Sequence, residues 1–382
     1  MNAGLRIVAD RVIAQAQTAF SACGSVTSVD GRQLNAALLR TADILLVRSV
    51  TRVDRQLLAG TAVRFVGTAT AGTDHIDLDY LKSQGIGFAA AAGCNARAVG
   101  EYVLACVLAL ALQTHRPLRE MRCAIVGCGH AGRAVEALLT ALDVQCLRYD
   151  PPRAEREGTA GFVDLDEALR ADIVTLHVPL TRSGEHPTLG LLGRAELAAL
   201  QPGALLINAA RGGVVDETAL RAWIGSGRCL AAIDCWQNEP QINADLLRCA
   251  WVATPHIAGH TLDARQRATQ QLRAALLAWL VIPDDATGLA GLPPLSALNL
   301  ADKSGLPALC AAVFHCCNPL ADTPRLQALA GADTTTTAAP FDALRAQAGA
   351  RREFTGQSVA IHQGDSDTAA LLQRLDFPLV SA

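Results

Sequence analysis

Short apolar segments alternate with helix-like segments along most of the chain, and this alternation limits the folds that the chain can adopt. Residues 44–47 and 123–126 are apolar throughout, which is typical of strands that are buried on both faces. Strands that are separated by helices pair in parallel, because each helical crossover returns the chain to the same end of the sheet. The sequence therefore predicts an α/β protein with doubly wound parallel sheets.

The apolar segments fall into two series. The first series consists of predicted strands at 6–9, 44–47, 63–67 and 86–88. The second series follows a long predicted helix at 96–113, and its strands are predicted at 123–126, 144–149, 173–177, 204–208, 229–233 and 251–253. We expect two Rossmann-like domains, one at 1–95 that is completed by 256–285 and one at 96–255. The helical pattern at 261–280 is expected to pack back on the first domain.

A change of composition near residues 281–285 marks a third region. A link that contains Pro and Gly begins there, and the residues beyond it have strand and helix signals of their own. A stretch of this length is sufficient for a small domain with its own core. We therefore expect a small C-terminal α+β domain at 286–382.

The composition argues against several classes of function. The 382 residues carry a formal net charge of −3 and no long Lys or Arg run, whereas nucleic-acid binding needs a concentrated basic face. The first residues lack the pattern of a signal peptide. The most apolar stretch, at 102–112, is shorter than the roughly 20 residues that span a bilayer. We expect a cytoplasmic protein that binds neither nucleic acid nor membranes.

Twelve cysteines raise the question of a disulfide framework or a metal site. The chain contains no CxxC pair, and most of the cysteines lie in apolar segments, where Cys acts as a small hydrophobic residue. We therefore expect reduced thiols and no metal site.

Gly127, Gly129 and Gly132 form a GxGxxG pattern between the predicted strand at 123–126 and a helical pattern at 134–142. The first Gly allows a tight turn, the second lets a pyrophosphate approach the backbone, and the third lets the helix pack closely on the strand. The N–H groups at the start of the helix would then face the phosphates. The alternative is a Gly-rich turn that only packs a helix on a sheet.

Asp150 favours the dinucleotide interpretation, because it ends the next predicted strand at about the expected distance of ~20 residues. A carboxylate at this point can accept hydrogen bonds from both ribose hydroxyls of NAD and repels the additional phosphate of NADP. Arg153 follows three residues later and could accept that phosphate, so NADP is the alternative cofactor. The acidic residue at the strand end favours NAD.

Arg211, Glu239 and His256 follow the ends of three successive predicted strands. Ligands of open α/β sheets bind at this edge. A guanidinium can hold a carboxylate by two parallel hydrogen bonds. A histidine can accept a hydroxyl proton while hydride leaves the same carbon, and a carboxylate on its other nitrogen stabilises the imidazolium. The three residues therefore predict the oxidation of a hydroxyl group next to a carboxylate.

Each of these residues also has an ordinary structural interpretation. Arg211 could pair with Asp216 or cap a helix, Glu239 could lie in a solvated turn, and His256 could be a loop histidine with no catalytic part. Their joint occurrence after a dinucleotide pattern favours catalysis.

At these positions the sequence resembles the D-isomer-specific 2-hydroxy acid dehydrogenase family. Residues 208–216 resemble its catalytic-arginine segment, 234–240 and 255–259 its glutamate and histidine segments, and 171–181 the floor of its cofactor site. The resemblance implies NAD as the cofactor and places Asp234 near the nicotinamide. The further residues that it implies for the cofactor site are His130, Ala131, Val178, Ala209, Ala210, Arg211 and Gly259.

Other segments resemble the branch of this family that oxidises 4-phospho-D-erythronate in pyridoxal 5'-phosphate biosynthesis. They lie at 47–51, 65–75, 93–96, 101–103, 150–153, 341–345 and 351–354. The resemblance implies that the first domain binds the substrate and that the C-terminal domain forms a homodimer. The substrate contacts that it implies are Ser49 and Thr70, with Arg48 for the carboxylate or phosphate. The backbone at Gly72 could also donate to an anionic oxygen.

Three arginines of the C-terminal region leave two alternatives open. Arg345, Arg351 and Arg352 could reach the substrate phosphate across a dimer, or they could form surface ion pairs, which is the commoner fate of exposed arginines.

Two positions depart from the pattern of the family. His260 stands where the family usually has a Tyr that contacts the substrate, and Ala92 stands where it usually has a Pro. An imidazole can still hydrogen-bond a phosphate oxygen, so His260 remains a candidate substrate contact. The catalytic set does not separate this activity from a D-3-phosphoglycerate dehydrogenase or a broad D-2-hydroxy acid dehydrogenase. A non-enzymatic NAD-binding regulator is the alternative from another class.

Overall fold

The computed structural model describes residues 4–284, 289–331 and 338–381, and the chain forms two compact units. The first unit comprises residues 1–95 and 263–293, and the second comprises residues 96–262 and 294–382.

The strands within the described residues are, in chain order, β1 (Arg6–Asp10), β2 (Ser25–Val29), β3 (Ile44–Val47), β4 (Phe65–Thr68), β5 (Gly87–Ala90), β6 (Arg122–Val126), β7 (Gln145–Tyr149), β8 (Ile173–Leu176), β9 (Ala204–Asn208), β10 (Cys229–Ile233), β11 (Val252–Ala253), β12 (Leu298–Asn299), β13 (Val359–Ile361) and β14 (Leu379–Ser381).

The α-helices of the same ranges are, in chain order, α1 (Ala16–Phe20), α2 (Ala36–Leu39), α3 (Arg55–Leu58), α4 (Leu78–Ser83), α5 (Ala96–Thr114), α6 (His130–Thr140), α7 (Pro151–Glu157), α8 (Leu165–Leu169), α9 (Arg194–Ala199), α10 (Glu217–Gly225), α11 (Ala244–Cys249), α12 (Leu262–Leu280), α13 (Gly305–Cys316), α14 (Pro319–Gln327), α15 (Ala338–Ala348) and α16 (Ser366–Arg374).

The first unit is built on a parallel sheet with the strand order β2-β1-β3-β4-β5. Leu272 and Leu276 of α12 pack with Phe20 and Ile44 in the core on one face of the sheet, as expected for the returning helix. A second apolar cluster covers the other face. Burial on both faces accounts for the uninterrupted apolar sequence of β3.

The sequence-based prediction of four strands in this unit was wrong, because β2 forms a fifth. Its sequence, Ser-Val-Thr-Ser-Val, is largely polar, and all five of its side chains are exposed or half-buried. Among the described residues β2 pairs only with β1, so it lies at an edge of the sheet. An edge strand lacks the continuous apolar run on which the prediction depended.

The second unit contains a six-stranded parallel sheet with the order β11-β10-β9-β8-β6-β7. The last residues of neighbouring strands are paired with one another, so the strand ends are aligned. From β7 to β11 these paired residues are Tyr149, Val126, Leu176, Asn208, Ile233 and Ala253. The residues that follow these positions therefore share one edge of the sheet. This doubly wound arrangement agrees with the predicted fold class.

Helix α5 is the one helix of the described ranges that is long and apolar enough to cross a membrane. Most of its apolar window, 78%, is buried inside the protein. Its side chains Val103 and Val107 join the same core as Leu139 of α6 and Ile173 of β8. Its composition is therefore that of a central core helix.

The C-terminal region packs into this second unit. Its strands form a separate parallel sheet with the order β12-β13-β14. Leu309 and Leu372 of α13 and α16 share the core that contains α5. Helix α14 covers the end strand β11, where the hydroxyl of Thr323 accepts the N–H of Ala253 at 3.0 Å.

The observed units divide the chain differently from the three expected domains. Residues 256–262, which were expected to complete the first domain, belong to the second unit, because hydrogen bonds hold them there: the N–H of His256 donates to Asp234 and the N–H of Leu262 to Arg351. Residues 294–382 belong to that unit as well, although they have their own sheet. A separate C-terminal domain for dimerisation remains a proposal.

We expect the Thr323→Val substitution to lower the free energy of unfolding by about 1–3 kcal/mol. It keeps the side-chain volume nearly constant but leaves the buried N–H of Ala253 without an acceptor. Urea unfolding followed by circular dichroism measures this loss. Thr355→Val is the matched control, since Thr355 is an exposed residue of the same region. Equal midpoints for the two variants would contradict the assignment of Thr323 to the packing of this region.

Candidate active site

The glycine turn after β6 has the geometry that the sequence pattern requires. Gly127 has a φ of +90°, and a Cβ at this position would lie 2.8 Å from the backbone of His177 and Val178. A Cβ at Gly132 would lie 2.1 Å from the carbonyl oxygen of Gly127, so helix α6 packs directly on the turn. Gly129 is exposed, and no atom of the described residues lies within 4 Å of a Cβ built there, so its backbone is open to a ligand. These features fit a pyrophosphate at the start of α6.

Asp150 lies at the end of β7 and is tied to this turn. Its Oδ2 accepts the N–H of Cys128 at 2.8 Å, and its Oδ1 accepts the N–H of Arg153 at 3.1 Å. The Arg153 guanidinium is directed to Glu157, which accepts hydrogen bonds of 2.6–3.1 Å, and to the carbonyl of Cys128. Arg153 is thus already paired with a carboxylate, which fits NAD better than NADP.

The other predicted cofactor residues lie along the same edge of this sheet. His130 and Ala131 open helix α6, Val178 follows β8, and Ala209 and Ala210 follow β9. His130 is exposed, and Val178 and Ala209 are half-buried. Gly259 belongs to the loop after β11 and is also half-buried.

The loop that carries Arg211 is held by the side chain of Asn208. The Asn208 amide donates to the carbonyl oxygens of Arg211 and Cys235 at 3.1 and 3.2 Å. A Cβ at Gly212 would lie 1.9 Å from the carbonyl oxygen of Trp236, so only Gly allows the two loops to approach so closely. Arg211 itself is half-buried and donates to the carbonyl of Ala210 at 2.8 Å.

His256 and Glu239 form a hydrogen-bonded pair. The Nδ1 of His256 lies 2.8 Å from Oε2 of Glu239, and the side chains are 29% and 20% exposed. The other oxygen of Glu239 accepts the N–H of Trp236 at 2.8 Å. Because an ionised carboxylate only accepts, Nδ1 carries the proton and Nε2 of a neutral His256 is left as a base.

The pair shifts the pKa values of both partners. Burial lowers the pKa of His256, but Cys235 and Glu239 raise it more, and the pKa lies well above the usual 6.5. Burial raises the pKa of Glu239, but the His256 charge and hydrogen bond outweigh it, so the pKa lies below 4.5. Opposite shifts of this kind are typical of a carboxylate that stabilises an imidazolium.

Cys235 is a neighbour of this pair that the sequence analysis did not single out. A side-chain sulfur of Cys235, a carboxylate oxygen of Glu239 and a ring nitrogen of His256 lie within 4.8 Å of one another. Burial raises the pKa of the Cys235 thiol, although the nearby His256 lowers it. The sequence held no signal for this contact, because a single Cys in an apolar strand end resembles any core cysteine.

Asp234, at the end of β10, is 1% exposed and uses both carboxylate oxygens within the protein. Oδ1 accepts the Thr254 hydroxyl and the Ile257 N–H, both at 2.7 Å, and Oδ2 accepts the Ala258 N–H at 3.0 Å. Burial raises the pKa of Asp234, although His256 and these hydrogen bonds lower it. The carboxylate thus holds the loop that carries His256, and its contact with nicotinamide remains a prediction.

The C-terminal region contacts the same loop. The Nδ1–H of His260 donates to the carbonyl of Arg345 at 3.0 Å. The Arg351 guanidinium donates to the carbonyls of Ile257 and Ala258 at 2.9 and 3.0 Å. Neither alternative considered for Arg351, a phosphate contact across a dimer or a surface ion pair, describes these contacts.

The predicted substrate residues of the first unit lie in the loops after β3 and β4. The Thr70 hydroxyl donates to the carbonyl of Gly72 at 2.9 Å and lies 2.8 Å from the hydroxyl of Thr68. The Thr70 hydroxyl therefore stabilises this turn, and its oxygen can still accept a hydrogen bond. Ser49 is exposed.

Arg48 and Arg265 form a positively charged region in the first unit. Nε of Arg48 lies 3.6 Å from Oδ2 of Asp10, which is 1% exposed. Burial and the nearby Arg48 charge both lower the pKa of Arg265. Two neighbouring guanidinium groups favour the binding of an anion. Sequence reasoning missed Arg265 because it lies in an amphipathic helix, where an Arg is ordinary.

The second unit thus combines a dinucleotide turn with a histidine–carboxylate pair and an arginine on one sheet edge. A neutral imidazole at Nε2 can accept a proton, and a guanidinium can bind a carboxylate.

Comparisons with known proteins agree with this geometry. Residues 109–258 match the family described as "D-isomer specific 2-hydroxyacid dehydrogenase, NAD binding domain". Erythronate-4-phosphate dehydrogenase of Pseudomonas paraeruginosa is 42% identical over 98% of this chain and 100% of its own length. The enzyme of the same name from Stutzerimonas stutzeri is 44% identical over 95% and 96%. These matches confirm the family that the sequence resembles.

Solved structures agree on the fold. D-lactate dehydrogenase of Aquifex aeolicus, in complex with NAD and lactic acid, has a TM-score of 0.61 at 23% identity and covers 72% of this chain and 95% of its own. NAD-dependent formate dehydrogenase of Staphylococcus aureus, in complex with NAD, has a TM-score of 0.61 at 22% identity and covers 75% and 99%.

We expect the Glu239→Gln variant to lower the pKa of His256, because the negative partner that raises it is removed. NMR titration of the histidine Cε1–H signals measures this pKa, with His256 assigned by its absence in His256→Asn. Glu155→Gln is the matched control, since Glu155 pairs with the surface histidine His186. An unchanged His256 titration in Glu239→Gln would show that the two side chains are not paired in solution.

Proposed function

The chain belongs to the erythronate-4-phosphate dehydrogenases of the D-isomer-specific 2-hydroxyacid dehydrogenase family, and we propose that it oxidises 4-phospho-D-erythronate with NAD. The product is (R)-3-hydroxy-2-oxo-4-phosphooxybutanoate, and the reaction serves pyridoxal 5'-phosphate biosynthesis. The observation that carries this proposal is the Glu239–His256 pair on the same sheet edge as Arg211 and the glycine turn, in a chain 42–44% identical to these dehydrogenases over nearly its whole length.

His256 and Glu239 have separate roles in this proposal. Nε2 of His256 accepts the proton of the C2 hydroxyl, and Glu239 stabilises the imidazolium that forms. Their opposite pKa shifts support this assignment, because the carboxylate is kept ionised and the histidine is made more basic. Arg211 binds the substrate carboxylate and polarises the forming carbonyl.

NAD, when bound, accepts the hydride from C2. The glycines at 127, 129 and 132 with His130 and Ala131 would hold its pyrophosphate, and Asp150 its ribose hydroxyls. Val178, Ala209, Ala210, Arg211, Asp234 and Gly259 would complete the cofactor site.

The substrate contacts that we propose are Ser49, Thr70, the backbone at Gly72, and His260. Arg48 and Arg265 are proposed for the substrate phosphate or carboxylate, since their two charges lie near each other in the first unit. We also propose that the protein is a cytoplasmic homodimer.

The direct test is an assay of the purified protein with 4-phospho-D-erythronate and NAD, in which NADH formation is followed at increasing substrate concentration. A 2-oxo acid is added in a parallel assay to regenerate any cofactor that the protein retains. D-3-phosphoglycerate and unphosphorylated D-erythronate serve as competing substrates. Turnover of either competitor without turnover of 4-phospho-D-erythronate would overturn the proposed substrate.

The Arg211→Ala variant should lose roughly 100-fold or more of kcat/KM, because the charge that holds the carboxylate and polarises the carbonyl is removed. Calorimetry should still detect NAD binding. Arg221→Ala is the control, since Arg221 is 51% exposed and lies beside Asp245. Turnover of Arg211→Ala within about threefold of the wild type would reject this role for Arg211. NAD binding without any turnover in the wild type itself would favour a non-catalytic NAD-binding protein.

The Arg265→Met variant should raise the KM for 4-phospho-D-erythronate about tenfold or more, as expected for the loss of one charged hydrogen bond of ~1.5–3 kcal/mol. The KM for NAD should not change. Arg64→Met is the control, because Arg64 is 58% exposed and pairs with Asp43 in the same unit. Equal KM values for both variants would exclude Arg265 from substrate binding.

A further inference from the structure

The two peptide groups that follow His256 are held from their N–H side by one carboxylate. Oδ1 of Asp234 accepts the N–H of Ile257 at 2.7 Å, and Oδ2 accepts the N–H of Ala258 at 3.0 Å. The backbone carbonyl of Asp234 also accepts the N–H of His256 at 2.9 Å. One residue at the end of β10 therefore fixes three consecutive amides.

The carbonyl side of the same residues is held by the C-terminal region. A single terminal nitrogen of Arg351 donates to the carbonyl oxygen of Ile257 at 2.9 Å and to that of Ala258 at 3.0 Å. The second terminal nitrogen donates to Sγ of Cys317 at 2.9 Å. The guanidinium is thus fixed at both ends, and its carbonyl contacts belong to the residues that Asp234 holds by their amides.

We propose that Arg351 is a positioning residue for His256, and that Arg351 and Asp234 act together as a charge clamp on residues 257 and 258. The cation binds the carbonyl oxygens and the anion binds the N–H groups of this short segment. The inference rests on the proposed role of His256 as the base, and it assigns to the C-terminal region a part in the reaction.

The backbone of His256 explains why such a clamp is needed. His256 has a φ of +55°, in the left-handed region that L-residues other than Gly adopt at a cost of order 1–3 kcal/mol. This conformation persists only if the surrounding structure holds it. The fixed amides and carbonyls of the next two residues supply that restraint, and the imidazole is thereby held 2.8 Å from Glu239.

Further contacts fix the chain around Arg351. The carbonyl of Arg351 accepts the N–H of Leu262 at 2.9 Å. Two residues later, Glu353, which is 1% exposed, accepts the Thr261 hydroxyl at 3.1 Å. The N–H of Phe354 donates to Glu101 of α5 at 3.0 Å. The segment 351–354 therefore lies directly along the residues that follow the catalytic loop.

A lysine cannot reproduce these contacts. The guanidinium presents donors in a planar fork, so one nitrogen reaches the two carbonyls while the other reaches Cys317. An ammonium is a single point that cannot span the same three acceptors. Arg351→Lys therefore retains the charge and loses the geometry, whereas Arg351→Met loses both.

The test compares Arg351→Met, Arg351→Lys and the control Arg374→Met in the full-length protein. Arg374 lies in the same region, is 43% exposed and pairs with Asp143. The concentration of folded protein is determined from the amount of NAD that it binds. The kcat, normalised to that concentration, is then measured over a range of pH. We expect Arg351→Met to lower kcat about tenfold or more, because small displacements of a catalytic base are costly. Arg351→Lys should lose less, and Arg374→Met should match the wild type.

The pH profile separates positioning from stability. A looser loop weakens the Glu239 contact, so the apparent pKa of His256 in Arg351→Met should fall toward its ordinary value, with the KM for NAD changed by less than about twofold. A residue needed only for folding would lower the melting temperature and leave kcat per bound NAD and the pH profile unchanged, and that result would overturn the proposal. If Arg351→Met does not fold, Arg351→Lys decides by the same two readouts.

An independent readout distinguishes failure of the clamp from failure of the proposed function. NMR titration of His256 and hydrogen exchange of the Ile257 and Ala258 amides need no substrate. Faster exchange and a lowered His256 pKa in the Arg351 variants would support the clamp even if 4-phospho-D-erythronate were not oxidised. Wild-type turnover with unchanged exchange, titration and kcat in both variants would reject the clamp and leave the proposed function intact.

Discussion

The buried carboxylate of Asp234 determines the position of the loop that carries His256. It follows β10, an interior strand of the six-stranded sheet, is 1% exposed, and accepts two consecutive backbone N–H groups and the hydroxyl of Thr254. Thr254 in turn lies 2.7 Å from the hydroxyl of Tyr102, a fully buried side chain of α5. The loop is therefore fixed to the sheet and to the central helix at once.

A buried carboxylate needs hydrogen bonds or opposite charges that compensate for lost hydration, because the desolvation of a charge costs several kcal/mol. Burial indeed raises the pKa of Asp234, while His256 and the hydrogen bonds oppose this shift. The nearby guanidinium of Arg351 is part of the same balance, since Asp234 is among the carboxylates that raise the pKa of Arg351 against the effect of burial. The Asp234 carboxylate thus helps to keep the Arg351 guanidinium ionised across the peptide groups between them.

Much of the second unit could be predicted from the sequence, because the relevant signals are local. Apolar runs located its strands, and β9 and β10 have the predicted bounds of 204–208 and 229–233. In a parallel sheet the residues after such strands lie at one edge, so the placement of Arg211, Glu239 and His256 at the same edge followed from topology. The sequence analysis missed strand β2, because this edge strand lacks a continuous apolar run.

The contacts that the sequence could not predict join residues far apart in the chain. Arg351 lies more than 90 positions from Ile257, and nothing in its neighbouring residues distinguishes it from Arg352 or from an exposed arginine. Arg265 is similar, because only the folded first unit brings it near Arg48. Arginine is usually an exposed residue, so the residue type alone predicts a surface position for both Arg265 and Arg351. Both are half-buried in the structure.

The position of the C-terminal region links its stability to the geometry of the loop that carries His256. Thr323 satisfies the N–H of Ala253 in strand β11, and Arg351 and Glu353 bind the residues immediately after that strand. Loosening of this region would expose the edge of strand β11 and release backbone groups on both sides of His256. Because the left-handed conformation of His256 is not favoured by the chain itself, the loop has an intrinsic tendency to relax once those contacts are lost. If Arg351 acts as proposed, packing at this distance in sequence acts on the His256–Glu239 pair through backbone hydrogen bonds rather than through contact with either side chain.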